Sequence, residues 1–197
     1  MTESIKLTFT LSIYDIYFRI KNSIHFTRTW LLLMTTHNQL SILFVCLGNI
    51  CRSPLAEAIL RHHLAEKCMT TQIRVDSAGT GAWHVGSGAD PRSLSVAKAN
   101  DITLDGSARQ VTEEDFHTFD YIFAMDQQNF KDLTILQERY GGKANIKLFR
   151  EFDIAEESAL DVPDPYYGGL KGFQDLFQIL DRTCWAIIDH LNEKVAS

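Results

Sequence analysis

Apolar residues in this chain alternate between short continuous runs and a helical spacing. An apolar run at 42–46 predicts a strand, and residues 54–66 carry apolar side chains three and four positions apart, which predicts an amphipathic helix. Short segments at 73–76 and 146–149 and an apolar run at 121–124 predict three more strands.

The segments between these runs predict helices. A helix is expected at 91–100, another after Thr112 with Asp115 completing a capping box, a third from the cap Asp126 to about residue 136, and a last one at 173–191. Alternating strands and helices indicate an α/β fold, a small open parallel four-stranded sheet with helices on both faces. Ligands of such sheets bind beyond the carboxyl ends of the strands.

Residues 1–40 differ from the rest of the chain. They contain no Gly or Pro, and apolar residues alternate with Thr and Ser over 7–13. The apolar run 30–34 is too short to span a membrane and precedes no cleavage site. We expect 1–40 to be an N-terminal extension, disordered or upstream of a true start at Met34, and 41–197 to form one domain.

The composition is typical of one compact domain, with 45% hydrophobic and 22% charged residues. The net charge of -6 gives no basic face, so we expect neither a nucleic-acid nor a membrane partner. The cysteines form neither a C-x-x-C pair nor a dense disulfide framework, which indicates the cytoplasm; they are Cys46, Cys51, Cys68 and Cys184. A zinc site combining Cys46 and Cys51 with His62 and His63 lacks a second closely spaced ligand pair.

The loop after the first predicted strand carries the strongest chemical pattern. Five residues separate Cys46 from Arg52, and they include Gly48 and Asn49, which tolerate a left-handed backbone. Loop N–H groups and a helix N-terminus favour an anion and stabilise a thiolate, while an arginine holds two phosphoryl oxygens. Ser53–Pro54 is predicted to be the N-cap and the first helical residue. This pattern predicts a phosphate-binding loop with a cysteine nucleophile.

Residues 161–169 form a second segment that could take part in catalysis. Two prolines stiffen the backbone around Asp164, which suits a general acid, although a surface turn is the simpler interpretation and Asp161 is an alternative acid. Tyr166 and Tyr167 are predicted to be walls of the site. Trp83 is predicted to lie opposite them, with core packing as its alternative.

These segments resemble the low-molecular-weight protein tyrosine phosphatases. The likeness is carried by Val-Cys-Leu-Gly-Asn-Ile-Cys-Arg-Ser-Pro at 45–54 and continues through 76–80, 108–110, 119–126 and 164–168 in family order. It implies hydrolysis of phosphotyrosine and aryl phosphate esters through a cysteinyl-phosphate, with no metal or cofactor. The implied catalytic residues are Cys46, Arg52 and Asp164, and the implied phosphate- or substrate-binding residues are Leu47, Gly48, Asn49, Ile50, Cys51, Ser53, Trp83, Tyr166 and Tyr167.

The resemblance also implies partners and one departure from the family pattern. We expect a phosphotyrosine-containing protein as substrate, with a tyrosine kinase as one candidate, and a monomer. Vertebrate-type members have a histidine where Gly106 stands, and that histidine bridges toward the equivalents of Asn49 and Glu57. The glycine-rich loop at 79–88 looks more bacterial-type.

Two other functions are compatible with this type of loop. Thioredoxin-coupled arsenate reductases are similar in fold but relay oxidation through downstream cysteines, and none lies between Cys68 and Cys184 here. Non-catalytic phosphate-binding modules usually lose the Cys, Arg or Asp. Within the loop, Cys51 is expected either to pack beneath it or to trap oxidised Cys46 as a disulfide.

Overall fold

The computed structural model describes residues 39–155 and 160–195. Their four strands form one parallel sheet with the order β2-β1-β3-β4. The strands are β1 (Leu40–Cys46), β2 (Ile73–Gly79), β3 (Tyr121–Ala124) and β4 (Asn145–Leu148). The predicted parallel four-stranded sheet is therefore confirmed, and β1 is one of its two inner strands.

Five α-helices occur within these described ranges, together with a short 3₁₀-helix at Phe149–Phe152. The α-helices are α1 (Arg52–Glu66), α2 (Pro91–Ala99), α3 (Glu113–Thr118), α4 (Gln127–Tyr140) and α5 (Leu170–Val195). The capping box predicted at α3 is present, because Asp115 accepts a hydrogen bond from the Thr112 N–H at 2.7 Å.

Alternate residues of β1 enter two separate cores, one on each face of the sheet. Ile42 and Phe44 are fully buried in the larger core, to which α1, α2 and α5 contribute. Leu43 and Val45 are fully buried in the other core, to which α3 and α4 contribute. A strand that is apolar on both faces requires cover on both sides, so the predicted helices on both faces are confirmed.

The prediction that Ser53 caps the first helix was wrong. Helix α1 begins at Arg52, and Cys51 is its N-cap, without a side-chain capping bond. The Ser53 hydroxyl is directed instead toward Cys46 Sγ at 3.0 Å and Asn49 Nδ2 at 3.0 Å. These contacts brace the loop, so the cap position moves two residues earlier.

Most predicted element boundaries differ from the observed ones by one to four residues. Helix α4 continues to Tyr140 because Gly141, at φ 77°, provides the left-handed C-cap. Helix α5 starts at Leu170, three residues before the predicted start.

The predicted extension 1–40 lies outside the described residues except for Gln39 and Leu40. Leu40 is already the first residue of β1. No helix in the described ranges has the length and apolar character needed to cross a membrane.

Candidate active site

Strand β1 delivers Cys46 to the carboxyl edge of the sheet, next to the C-terminal ends of both neighbouring strands. The thiol is 3% exposed. Its Sγ accepts a hydrogen bond from the Asn49 N–H at 3.3 Å and lies 3.0 Å from Ser53 Oγ. Two polar neighbours and the start of α1 thus converge on the sulfur.

Asn49 holds the loop in shape. Its φ of 54° lies in the left-handed region, which Asn tolerates better than most residues. Its Nδ2 donates to Ser53 Oγ and to Ser77 Oγ at 2.9 Å, and its Oδ1 accepts from the Arg109 N–H at 2.9 Å. The side chain is 3% exposed, so it braces the loop from behind and does not face the pocket.

Arg52 is almost fully buried and is held by two carboxylates. Its Nη1 donates to Asp126 Oδ2 at 2.6 Å and to the Val162 carbonyl at 3.2 Å, and its Nη2 donates to Asp164 Oδ2 at 2.7 Å. Burial lowers the pKa of the guanidinium, but negative charge at Cys46, Asp164 and Asp126 outweighs it and leaves that pKa raised. The cation is therefore permanent.

Asp164 lies in a turn that is tied to the rest of the domain. Its Oδ1 accepts from the Tyr166 N–H at 3.0 Å, and 43% of its side chain is exposed. Arg92 of α2 donates to the Gly168 carbonyl at 2.8 Å and lies 4.4 Å from the ring centre of Phe173. The turn is thus anchored, while the carboxyl group itself faces the pocket.

A cavity of about 160 Å³ lies between the loop and this turn. Cys46, Arg52 and Asp164 all line it. Seven of the predicted binding residues line it as well, namely Leu47, Gly48, Ile50, Cys51, Trp83, Tyr166 and Tyr167. The structure therefore brings the nucleophile, the arginine and the acid predicted from sequence to one pocket.

The aromatic walls are largely in solvent. Trp83 is 76% exposed and Tyr167 is 97% exposed, while Tyr166 is 39% exposed and meets Tyr167 edge-on at 5.1 Å between ring centres. Core packing, the alternative considered for Trp83, is therefore wrong. The Trp83 ring lies over Gly81, where a Cβ would come 1.8 Å from the ring, so any side chain at this position would displace the ring.

Two residues of the site were missed by sequence analysis. His84 lines the pocket, and its ring lies so close that a Cβ at Gly48 would be 3.0 Å from it. Asp126, which was predicted only as a helix cap, accepts from the Asn129 N–H with one oxygen and from Arg52 with the other. Its position directly after β3, at the same sheet edge as Cys46, was the available signal.

Asp161, the alternative acid, does not line the pocket. Its Oδ1 accepts from the Gln127 N–H at 2.8 Å, at the start of α4. Asp164 is therefore the only one of the two candidate acids that faces the pocket.

The cysteines differ sharply in environment. Cys51 lines the pocket, and burial, with smaller effects of Asp90, Cys46 and Asp164, raises the pKa of its thiol to about 12. Cys184 is fully buried, which raises the pKa of its thiol as well. Cys68 is exposed just beyond the end of α1 and lies outside the pocket.

The absence of a histidine at Gly106 does not disconnect Asn49 from Glu57. The Ser77 hydroxyl accepts from Asn49 and donates to Glu57 Oε2 at 2.5 Å, so β2 itself provides a bridge. Burial raises the pKa of Glu57, and the contacts with Ser77 and Arg61 oppose that effect. Gly106, at φ 98°, has open space around its Cα.

Comparisons with known proteins agree with this site. The family model described as low molecular weight phosphotyrosine protein phosphatase matches residues 41–197. A Schizosaccharomyces pombe protein of that name is 45% identical over 144 residues, which make up 72% of this chain and 91% of the relative.

Solved structures give the same result. A crystal structure of a protein tyrosine phosphatase from Entamoeba histolytica is 42% identical, with a TM-score of 0.73, over 79% of this chain and 98% of that one. A Drosophila protein described as an arginine phosphatase is 32% identical, with a TM-score of 0.73, over 76% of this chain and 96% of its own. On its sequence match and its fold, the chain belongs to the low molecular weight phosphotyrosine protein phosphatase family.

Proposed function

We propose that this chain is a protein tyrosine phosphatase that hydrolyses phosphotyrosine and aryl phosphate monoesters through a cysteinyl-phosphate on Cys46. The observation that carries the proposal is that Cys46, Arg52 and Asp164 line one pocket at the carboxyl edge of the sheet. A nucleophile, a permanent cation and a partly exposed carboxyl group are the groups that such a reaction needs.

In the first step, the Cys46 thiolate attacks phosphorus in line with the ester oxygen. A sulfur–phosphorus bond forms as the phosphorus–oxygen bond breaks, and Asp164 gives its proton to the departing phenolate. Arg52 and the N–H groups of the loop stabilise the equatorial phosphoryl oxygens. Ser53 Oγ, 3.0 Å from the sulfur, stabilises its charge before attack.

In the second step, a water molecule attacks phosphorus from the side that the phenol has left. Asp164, now ionised, takes a proton from that water, the sulfur–phosphorus bond breaks, and the thiolate returns with release of inorganic phosphate. The same carboxyl group therefore serves as acid and then as base.

The pocket walls support aryl phosphates as the substrate class. Leu47, Trp83 and Tyr167 are exposed around the mouth, while Cys46 is buried at the base. A phosphotyrosine is long enough to place its phosphate at the sulfur while its ring contacts these walls, whereas a phosphoserine stops short of it. Aromatic contacts of this kind add about 0.5–1.5 kcal/mol beyond simple burial.

Arsenate reduction by a cysteine relay has less support. Cys68 and Cys184 lie outside the pocket, and Cys184 is fully buried. Cys51 is the only other cysteine among the described pocket residues. A non-catalytic binding module is disfavoured because all three reacting groups line the cavity.

The partners follow from this substrate class. A phosphotyrosine-containing protein is the expected substrate, and an autophosphorylated tyrosine kinase is one candidate. We further propose that the protein acts as a monomer in the cytoplasm, where reducing conditions keep Cys46 as a thiol.

The test is steady-state hydrolysis of para-nitrophenyl phosphate and of matched phosphotyrosine, phosphoserine and phosphoarginine peptides by the wild type and Cys46→Ser. We expect turnover of the aryl ester and the phosphotyrosine peptide by the wild type only. Faster hydrolysis of phosphoarginine than of phosphotyrosine would contradict the proposed substrate class and favour the activity for which the Drosophila arginine phosphatase is named. Full activity of Cys46→Ser would contradict the covalent mechanism.

A further inference from the structure

Three potential metal ligands cluster at the C-terminal end of α1, away from the pocket. They are His62, His63 and Glu66, whose ligand atoms all lie within 4.8 Å of one another. His62 Nε2 is 3.7 Å from Glu66 Oε1, and His63 Nδ1 is 3.7 Å from Glu66 Oε2. Their spacing along the helix places both imidazoles beside the carboxylate.

His63 is held rigidly by α5. Its side chain is only 6% exposed, its ring stacks on Trp185 with 4.0 Å between ring centres, and its Nε2 lies 2.9 Å from Asp181 Oδ1. Its Nδ1 is buried and has no hydrogen-bond partner. A buried ring nitrogen without a partner is costly, so this atom needs an explanation.

The contact with Asp181 determines which ring nitrogen of His63 carries the proton. A carboxylate accepts hydrogen bonds, so Nε2 carries the proton that points to Asp181, and Nδ1 is left with a lone pair in the neutral ring. That lone pair faces the carboxylate of Glu66, also an acceptor. These two acceptors, 3.7 Å apart, have no donor between them, and a cation bound between them would satisfy both.

We propose that His62, His63 and Glu66 form a binding site for a divalent transition-metal ion of the Zn²⁺ class. Two imidazoles and one carboxylate suit this class, with water completing the coordination. Asp181 is the outer carboxylate that orients a ligand histidine, as is usual in zinc sites.

The site would act on packing and not on the chemistry at Cys46. His62 lies ten residues beyond Arg52 along α1, about 15 Å at the helical rise. A bound ion would hold α1 through His63 against Asp181 and Trp185 of α5. The zinc site weighed from sequence shared these histidines but required Cys46 and Cys51; the structure groups the histidines with Glu66 instead.

Calorimetric titration with Zn²⁺ tests the proposal on the full chain carrying Cys46→Ser and Cys68→Ser, changes that remove the nucleophilic thiol and the exposed thiol. We expect one ion bound per chain. Adding His62→Ala or Glu66→Gln should weaken binding at least about tenfold, and Asp181→Asn should weaken it by about 10- to 100-fold through loss of ligand orientation. His62 and Glu66 are partly exposed, so these variants should fold.

His117→Ala is the matched control, because this exposed histidine of α3 lies outside the cluster, and it should bind Zn²⁺ like the parent. A second measurement is thermal unfolding. Zn²⁺ should raise the Tm of the parent and of His117→Ala but not that of His62→Ala. No binding by the parent, or equal binding by the parent and His62→Ala, would overturn the proposal.

Discussion

Asp164 has two features suited to an acid, a partly exposed carboxyl group and an anchored backbone. We predict that Asp164→Ala lowers kcat for phenyl phosphate by about 10²- to 10⁴-fold, the usual contribution of general acid–base catalysis. The loss should be smaller for para-nitrophenyl phosphate, because its leaving group needs less protonation. Steady-state kinetics with both esters measures the difference.

Asp161→Ala is the control for this prediction, since its carboxyl group is bound to the Gln127 N–H and lies outside the pocket. It should retain the leaving-group dependence of the wild type. Wild-type hydrolysis of phenyl phosphate by Asp164→Ala would show that another group protonates the phenolate.

Trp83 is proposed to form one wall of the substrate pocket. Because its ring is 76% exposed, Trp83→Ala should leave the fold intact and remove one stacking surface. We predict a roughly 2- to 12-fold rise in KM for phosphotyrosine peptides, the equivalent of one aromatic contact, with a smaller change in the inhibition constant of inorganic phosphate. Ile154→Ala, at an 86% exposed residue outside the pocket, is the control. Equal effects on peptide and phosphate would exclude a wall function.

Cys51 shares the pocket with Cys46 and has a neutral thiol, because burial raises its pKa to about 12. We predict that peroxide inactivates the wild type reversibly, through a disulfide with oxidised Cys46 that thiols reduce. In Cys51→Ser the loss should be mostly permanent. The measurement is activity recovered with dithiothreitol, and Cys68→Ser should recover like the wild type. Equal recovery of wild type and Cys51→Ser would leave Cys51 as a packing residue.

For individual residues, predictions from sequence were correct where only a few residue types tolerate the required backbone geometry. Asn49 was expected to tolerate a left-handed backbone and has φ 54°. Ser53 was misassigned because a hydroxyl can cap a helix or bind a thiol, and only the fold decides which partner is near. Asp126 was missed because its partner, Arg52, lies 74 residues away in the sequence. His84 was missed because only the packing of its loop brings the ring close to Gly48.

At the scale of elements, a buried ion cluster joins the 3₁₀-helix to α5. Asp153 is inaccessible to solvent and accepts from Arg150 Nε at 3.1 Å and from Arg182 Nη2 at 2.8 Å. The hydrogen bonds from Arg182, more than the opposing burial, lower the pKa of Asp153. A lowered carboxyl pKa contributes stability above the unfolded pKa, near 4, that is lost as the pH falls through the folded value.

We predict that Asp153→Asn lowers the free energy of unfolding by about 1–3 kcal/mol at pH 7, because the hydrogen bonds from Arg150 and Arg182 to a buried carboxylate are weakened or lost at a neutral amide. The difference from wild type should begin to shrink below about pH 4, where the carboxyl group of the unfolded wild type takes up a proton, and shrink further as the pH falls toward the lowered folded pKa. Urea unfolding at pH 7 and pH 3 measures both effects. Asp175→Asn, on the exposed face of α5, should change stability by less than about 0.5 kcal/mol. An equal loss at both pH values would refute the charge-based explanation.

The elements themselves were predicted well because each has a local cause. The strand β3 was predicted with its observed ends, Tyr121–Ala124, from an apolar run that follows Asp120 and precedes the helix cap Asp126 by one further residue. Helix ends were less accurate. Helix α5 begins at Leu170, three residues before its predicted start, because Gly172 in its first turn interrupts the helical pattern from which the start was predicted.

At the scale of the whole molecule, the site lies entirely within the domain that the family matches. Its pocket residues run from Cys46 to Tyr167. We predict that a chain starting at Met34 hydrolyses para-nitrophenyl phosphate with a kcat/KM within about twofold of the full chain. Mass spectrometry of the natively expressed N-terminus identifies which start is used. A peptide from residues 5–20 would exclude the shorter start, and a large loss of activity would give the extension a function.

The order β2-β1-β3-β4 also explains why residues far apart in the sequence meet at one site. With β1 inside the sheet, its C-terminal loop is flanked by the segments that follow β2 and β3, which carry Trp83 and Asp126. The sequence could place the loop and the strands but not this neighbourhood, because strand order is set by long-range pairing.

Phosphate binding at Arg52 involves an exchange of the partners of its guanidinium group. Its guanidinium already has Asp126 and Asp164 as partners, in a protein whose net charge is -6. A phosphoryl group that binds Arg52 Nη2 would compete with the Asp164 carboxylate for that nitrogen, and a carboxylate released from the ion pair is free to act on the ester. When inorganic phosphate is ready to leave, the returning carboxylate competes with it for the same nitrogen. One ion pair thus couples substrate capture, activation of the acid and ejection of the product.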